Sequence, residues 1–411
     1  MIGVKFRILI SALSGGVLGV AMLLFSQGVA HAAGTFTWTG GGSDGNWSTA
    51  ANWAGAVAPA GSDTGDNIVI DNSATFTNGC NDDVAGLTIA SLTFENVAVS
   101  GTVSMALAQP LTIAGPIVQL DNDTSTVDEI TDASSAETLT LGADVNVTDE
   151  IGMIFGDTGS TDTLALNGYT ITFGDNGVSK INGVNNIIAV YYNITGSGGV
   201  IYDGAATDYQ LYGDNTYSGT TQVAADDDLN NPAYTNAFGT SSITVGTAGS
   251  IVFYYTGSTS INNPITITGT TTGTPISSLA FESTAAGDTF TVPNITLNGN
   301  TRFNNLNGMS TPPTALTVNL ASINVGSHCI AYIGSNTDET NGTANGFTNG
   351  PVGCTFSSST TTTKTAPKTP DTGTALVKSQ PLMIIAGFVV VIAGLFGITK
   401  IVKNPITTKR R

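Results

Sequence analysis

Short runs in which aliphatic residues flank a single threonine recur along the middle of the chain: Leu87-Thr-Ile-Ala90, Leu111-Thr-Ile-Ala114, Leu139-Thr-Leu-Gly142, Ile171-Thr-Phe-Gly174, Ile243-Thr-Val-Gly246, Ile265-Thr-Ile-Thr268, Ile295-Thr-Leu-Asn298 and Leu316-Thr-Val-Asn319. A period of two puts the aliphatic pair on one side of an extended backbone and the threonine on the other. Each run therefore predicts a short strand with one buried face. No window of residues 33–354 carries the 3.6-residue spacing of an amphipathic helix, so the body is expected to be all-β.

Consecutive runs lie 24, 28, 32, 22, 30 and 21 residues apart where the series is unbroken. Such irregular coils suit a β-solenoid, in which no turn buries its apolar side alone and each stacks on its neighbours. Pro110 and Pro264 precede their strands while Gly115 and Gly269 follow theirs, as corners require. An array of β-sandwich domains would give a similar alternation, and the periodicity favours the solenoid.

Two long apolar runs bracket this body. Residues 8–25 follow Lys5 and Arg7 and precede Ala30-His31-Ala32, the order of charge, apolar stretch and small-residue site found in a secretory leader. Residues 1–32 read as a signal peptide cleaved after Ala32, with an uncleaved membrane anchor as the alternative; both export the chain. Residues 382–398 form the second run, followed by Lys400, Lys403, Lys409, Arg410 and Arg411. About 17 apolar residues just cross the hydrocarbon layer, and the cations behind them stay cytoplasmic. A transmembrane helix over 382–398 is expected. Residues 355–372 contain 11 Ser or Thr among 18, a composition that cannot bury a core and predicts an extended stalk able to carry glycans.

Charge narrows the function. Of the 30 acidic residues only Asp371 lies outside residues 33–355, where the sole cations are Lys180 and Arg302, so the body carries about −27. Such a surface repels phosphate backbones and acidic polysaccharides, which argues against nucleic-acid partners. With His31 in the leader, His328 is the one histidine left to the mature chain, and chemistry needing a histidine cluster is removed.

Thr369-Pro370-Asp371-Thr372-Gly373, the apolar run and the basic tail stand in the order of a cell-wall sorting signal, and together resemble the anchor of sortase-attached surface proteins. That family uses Leu-Pro-x-Thr-Gly; Pro370, Asp371, Thr372 and Gly373 match, and Thr369 replaces the leucine. The resemblance implies transient partnership with a sortase and transfer of Thr372 to an envelope amine. A plain tail anchor is the alternative, and the two differ in whether residues 382–411 persist in the mature protein.

Two further segments carry a second resemblance. Trp38 to Trp53, with Trp47, Asn52 and four glycines between, followed by Gly65-Asp-Asn-Ile-Val-Ile70, looks like the opening of large bacterial secreted β-strand-repeat proteins. Leu211-Tyr-Gly-Asp-Asn215-Thr-Tyr217-Ser-Gly219-Thr-Thr-Gln-Val223 with Phe238-Gly239 is similar to the autotransporter-associated β-strand repeat. This implies a right-handed parallel β-helix in which Asn-Thr-Tyr-x-Gly-x-Thr turns into the next coil. Only one copy is clear, residues 224–231 read as an inserted acidic loop, and no membrane barrel pattern follows. The expected organisation is a Trp/Gly-rich cap at 33–70, a solenoid at 71–354, the stalk, and a sorting signal at 369–411.

Candidate chemistry is sparse. Trp38, Trp47 and Trp53 are all the tryptophans of the chain; they are candidate glycan contacts or, alternatively, the plug of a solenoid end. Carboxylate pairs that glycosidic chemistry would need occur at Asp121/Asp123, Asp128/Glu129, Asp149/Glu150 and Asp226-Asp-Asp228, but cations to hold an acidic substrate are scarce. Residues 121–125 alternate oxygen ligands, yet Thr126 stands where a calcium loop needs glycine, so no metal or cofactor is expected. Cys329 and Cys354 flank a Gly/Asn/Thr-rich loop and are the expected disulfide, leaving Cys80 unpaired. The sequence reading is a non-enzymatic, surface-anchored display rod, an adhesin or coat component facing a surface glycan or host-cell receptor. A carbohydrate-binding module and a polysaccharide-degrading β-helix enzyme are the alternatives.

Overall fold

The computed structural model describes residues 33–353, apart from 62–63, 72–78, 97–102, 122–127, 133–135, 150–151, 158–159, 176–185, 204–206, 225–227, 233–235, 248, 256, 271–277, 284–285, 307–315, 334–337 and 340–345. The expected leader at 1–32 and the residues from 354 onward, with the stalk, the sorting motif Thr369, Pro370, Asp371, Thr372 and Gly373, and the apolar run 382–398, lie outside the described residues. Within the described residues no helix is long and apolar enough to cross a membrane.

Among the described residues the chain is an all-β parallel solenoid built of three sheets with 16, 12 and 4 strands. The one helical element in the cap is a single 3-10 turn, Ala50–Asn52. The long strand Thr88–Asn96 bends the largest sheet into two faces: its start pairs with Leu111–Ile113 and its end with Ile117–Asp121. One coil then runs from Ile117–Asp121 on face II to Asp128–Asp132 on face III and Thr138–Leu141 on face I, and returns to face II at Val145–Asp149. Face III is the 12-stranded sheet, from Asn81–Asp82 to Asp338–Glu339. After Asn193–Thr195, the place of face I in the coil order is taken by the four-stranded sheet that begins at Thr259–Ser260.

Register turns the alternation of the sequence into columns. Val145, Ile171, Val200, Thr221, Ile243, Ile265 and Ile295 stack inward on face II, and Asn146, Thr172, Ile201, Gln222, Thr244, Thr266 and Thr296 stack outward beside them. The inner aliphatic residues are almost wholly buried, each worth about 1.5–3 kcal/mol of transfer free energy. Since no single coil encloses that surface, each coil is stabilised by the two it touches. Corners need close approach: a Cβ on Gly115 would lie 2.0 Å from the Ala90 carbonyl oxygen.

Two sequence expectations change. The segment 224–231 is not simply an inserted loop, because Asp228–Pro232 forms a face III strand between Thr207–Leu211 and Ser250–Tyr255. The spacings of 32 and 21 residues are not coil lengths. Leu139 belongs to face I and Ile171 to face II, where Ile171 pairs with Val145. Likewise Ile295 pairs with Ile323, whereas Leu316 pairs with Asp288 in the small sheet.

Candidate functional site

The three tryptophans lie at the N-terminal end of the stack and face inward. Trp38 and Trp47 are 0% exposed and Trp53 is 2% exposed. Trp53 meets Trp38 and Trp47 edge to face, with ring centroids 5.1 and 5.5 Å away, and its indole N–H donates to the Trp47 carbonyl at 2.6 Å. The glycine-rich loop around them is held by Asn52, whose Oδ1 accepts the Gly42 N–H at 2.7 Å while Nδ2 donates to the Asn46 carbonyl at 2.9 Å. Stacking on a sugar requires an open ring face, and these rings spend their faces on each other and on the core. The glycan-contact expectation for Trp38, Trp47 and Trp53 is corrected on that ground: the trio plugs the end.

The plug is tied to the first strand of face III. Asn46 bridges Asn81 in parallel, Trp47 Nε1 donates to the Cys80 sulfur at 3.2 Å, and the Ser48 N–H and hydroxyl donate to the Asp83 carboxylate at 2.8 and 2.6 Å. Burial pushes the Cys80 thiol up to about 12, so this free cysteine is a packed, protonated group. Cys329 is disulfide-bonded, and its expected partner Cys354 lies outside the described residues.

Asp128 and Glu129, the one carboxylate pair with both side chains described, do not share a face. Asp128 is fully buried, its two oxygens accepting the Val103 N–H at 3.0 Å and the Gln119 amide at 3.0 Å. Glu129 points to the other side of the strand, and desolvation, then the Asp157 charge, raises its carboxyl. Asp66 and Asp162 likewise turn one oxygen to a backbone N–H of another coil, Gly34 at 2.9 Å and Glu137 at 2.8 Å. These residues act as corner braces. Asp121, Asp123, Glu150, Asp226 and Asp227 and the calcium-like stretch fall largely on residues outside the description, and no group of three metal-ligating side chains occurs among the described residues.

The repeat-like segment 211–223 bridges a gap in face I. Asn215 Oδ1 accepts the Ile194 N–H at 2.6 Å and its Nδ2 donates to the Ala237 carbonyl at 2.6 Å, so one side chain joins three coils where strands are lacking. Tyr217, Thr221 and Ser241 form a buried hydroxyl chain with steps of 2.6 and 2.7 Å, which satisfies the one threonine of the inner face II column. Gly219 is required because a Cβ there would sit 2.0 Å from the Gly198 carbonyl oxygen.

What the sequence reading missed is the outer side of face III. On face II the outward rows are mainly threonine and amide, whereas on face III residues 187–192 and 251–255 are apolar or aromatic at consecutive positions. Outward positions there include Ile154, Tyr191, Gln210, Tyr212, Val252 and Tyr254. Tyr191 and Tyr212 stack with centroids 4.3 Å apart and planes within 4°, and the Tyr212 hydroxyl donates to Gln210 Oε1 at 2.7 Å. The available signal was the loss of alternation in Ile187-Ile-Ala-Val-Tyr-Tyr192 and Ile251-Val-Phe-Tyr-Tyr255.

The chain matches no protein-family model, no curated protein and no solved structure. Fold and register define it as a parallel β-solenoid.

Proposed function

We propose that this chain is an exported, envelope-anchored β-solenoid that displays its side faces as an adhesin or coat component and performs no catalysis. The observation that carries this reading is the registered outward row on face II, where Thr244, Thr266 and Thr296 repeat one hydroxyl per coil. Neighbouring strands lie about 4.8 Å apart, so such rows offer many identical weak contacts at fixed spacing, which suits multivalent attachment. Right-handed winding, as in autotransporter passengers, is the hand that parallel crossovers adopt.

Anchoring follows the resemblance of residues 369–373 to a sorting signal. A sortase thiolate attacks the Thr372 carbonyl, the Gly373 amine leaves, and an envelope amine displaces the thiol, so the attached chain ends at Thr372. Before processing, the run 382–398 holds the chain in the membrane. The sortase and the wall amine are the partners of this step; a surface glycan or a host-cell receptor is the partner of the displayed faces, and the charge of the body disfavours nucleic acid.

The test is mass spectrometry of the protein released from native envelopes by wall hydrolases, with sugar release monitored when it is offered extracted glycans. A C-terminal peptide ending at Thr372 and carrying a wall amine is expected, without released sugar. A mature chain retaining residues 382–411 overturns the sortase step, and released sugar overturns the non-catalytic reading.

A further inference from the structure

Tyr191 and Tyr212 stand one residue past the paired Val190 and Leu211, at the same outward position on consecutive coils of face III. Their ring centroids lie 4.3 Å apart with the planes within 4° of parallel, and both side chains are half-buried, so solvent reaches the pair. Pro232 takes the next position of the row, which makes the stack a pair rather than a column. Inside the solenoid Tyr202 and Tyr209 also meet, but their rings are tilted by 59° and buried away from any oxidant. The outer pair suits one-electron chemistry. Face-to-face contact overlaps the π systems over which a phenoxyl radical spreads its unpaired electron. The Tyr212 hydroxyl already donates to Gln210 Oε1 at 2.7 Å, which stabilises the positive charge that builds on the phenol as its electron leaves. The charge of about −27 on the body eases that loss in the same sense. Cys329 is disulfide-bonded, so the chain matures where oxidants prevail over thiols.

We propose that Tyr191 and Tyr212 are a modification site, joined by a dityrosine carbon–carbon bond that staples two coils when hydrogen peroxide and a peroxidase act on the chain. Each phenol gives up one electron and its hydroxyl proton, and the two phenoxyl radicals join through ring carbons ortho to oxygen. The hydrogens on those carbons then move to the oxygens and restore both phenols. The two electrons and two protons released reduce one hydrogen peroxide to two waters, so the linked chain is lighter by two hydrogen atoms. The staple closes a weak place in the stack. Face I ends at Asn193–Thr195, and beyond it the Asn215 side chain stands in for strand pairing to Ile194; a bond between Tyr191 and Tyr212 ties the same two coils covalently. The site does not depend on how the chain is anchored or on what it displays.

The experiment treats the full folded chain with a peroxidase and hydrogen peroxide and reads dityrosine fluorescence, then maps linked peptides by mass spectrometry after proteolysis. The same mapping is applied to the chain isolated from the cells that make it. A peptide pair joined through Tyr191 and Tyr212, lighter by two hydrogen atoms than its parts, is expected in both samples. Its yield should not change on dilution, because the partners belong to one chain. Tyr191→Phe and Tyr212→Phe keep a ring in the stack but remove one phenol, and each should abolish the link, whereas Tyr169→Phe, at an exposed ring outside the pair, should leave it intact. Far-UV circular dichroism checks that every variant is folded. Recovery of Tyr191 and Tyr212 unlinked from the oxidised chain or from the cellular chain overturns the proposal, as does a yield that falls in step with dilution.

Discussion

The side-chain oxygen of Asn215 lies 2.6 Å from the backbone nitrogen of Ile194, one coil earlier, and accepts its hydrogen bond where a strand would otherwise supply a carbonyl. The same side chain donates to Ala237 one coil later. Replacing Asn215 with alanine strands a buried donor and a buried acceptor. Each such loss costs about 1–3 kcal/mol, so Asn215→Ala is expected to lower stability by about 2–5 kcal/mol in urea unfolding. Asn215→Asp keeps the acceptor, loses the donor and buries a charge, and is expected to be at least as damaging. A denaturation midpoint within error of the parent for both would show that face I is closed by other bonds.

Because the three tryptophans of the chain all sit in the end plug, indole emission reports on that plug alone. Trp53→Ala removes the edge-to-face contacts with Trp38 and Trp47 and the bond to the Trp47 carbonyl, a loss of about 3–5 kcal/mol at a buried aromatic. The expected outcome is red-shifted emission from Trp38 and Trp47, with the far-UV β signal largely kept because coils couple mainly to their neighbours. Cys80, held protonated with the Trp47 N–H on its sulfur, should resist thiol reagents at pH 8 in the parent and react in the variant. Equal thiol reactivity in the two chains would contradict the plug.

Asp82 makes the plug sensitive to pH. It is fully buried beside the bridge to Asn46, one oxygen accepting the Val84 N–H, and desolvation pushes its carboxyl up to about 8, helped by the charges of Asp83 and Glu137. The folded state therefore holds a proton that the unfolded chain releases near pH 4. Stability from this group is present below pH 4 and declines as pH rises to about 8, by up to about 5 kcal/mol. Asp44 opposes it only in strong acid, since hydrogen bonds from Asn46 and Thr49 lower its carboxyl and that contribution is lost as pH falls through its folded value. Thermal melts followed by indole emission should show a midpoint falling from pH 5 to pH 8, and Asp82→Asn, which keeps an acceptor for Val84, should flatten the profile. A parent profile already flat over that window would remove Asp82 from the account.

The sequence by itself determined strand content and sidedness. The Leu-Thr-Ile and Ile-Thr-Val runs could only be extended, with the aliphatic pair in and the threonine out, because Cβ direction alternates along any strand. It also placed the glycine and proline corners, since Gly115 and Gly219 occupy positions that admit no Cβ. Only the tertiary structure decided which runs share a face. The same three-residue pattern serves faces I and II and the small sheet alike, so Leu139 and Ile171 look like successive repeats although stacking separates them. Nothing in the sequence marks the carboxylates Asp66, Asp82, Asp128 and Asp162 for burial, because their backbone partners lie on other coils or at corners that exist only once the coils are stacked. Equally, indoles at Trp38, Trp47 and Trp53 and phenols at Tyr191 and Tyr212 are similar amphipathic groups in the sequence. Strand register turns the first set into a dry plug and the second to the outside, and register is fixed by hydrogen bonds between coils rather than by any residue's own preference.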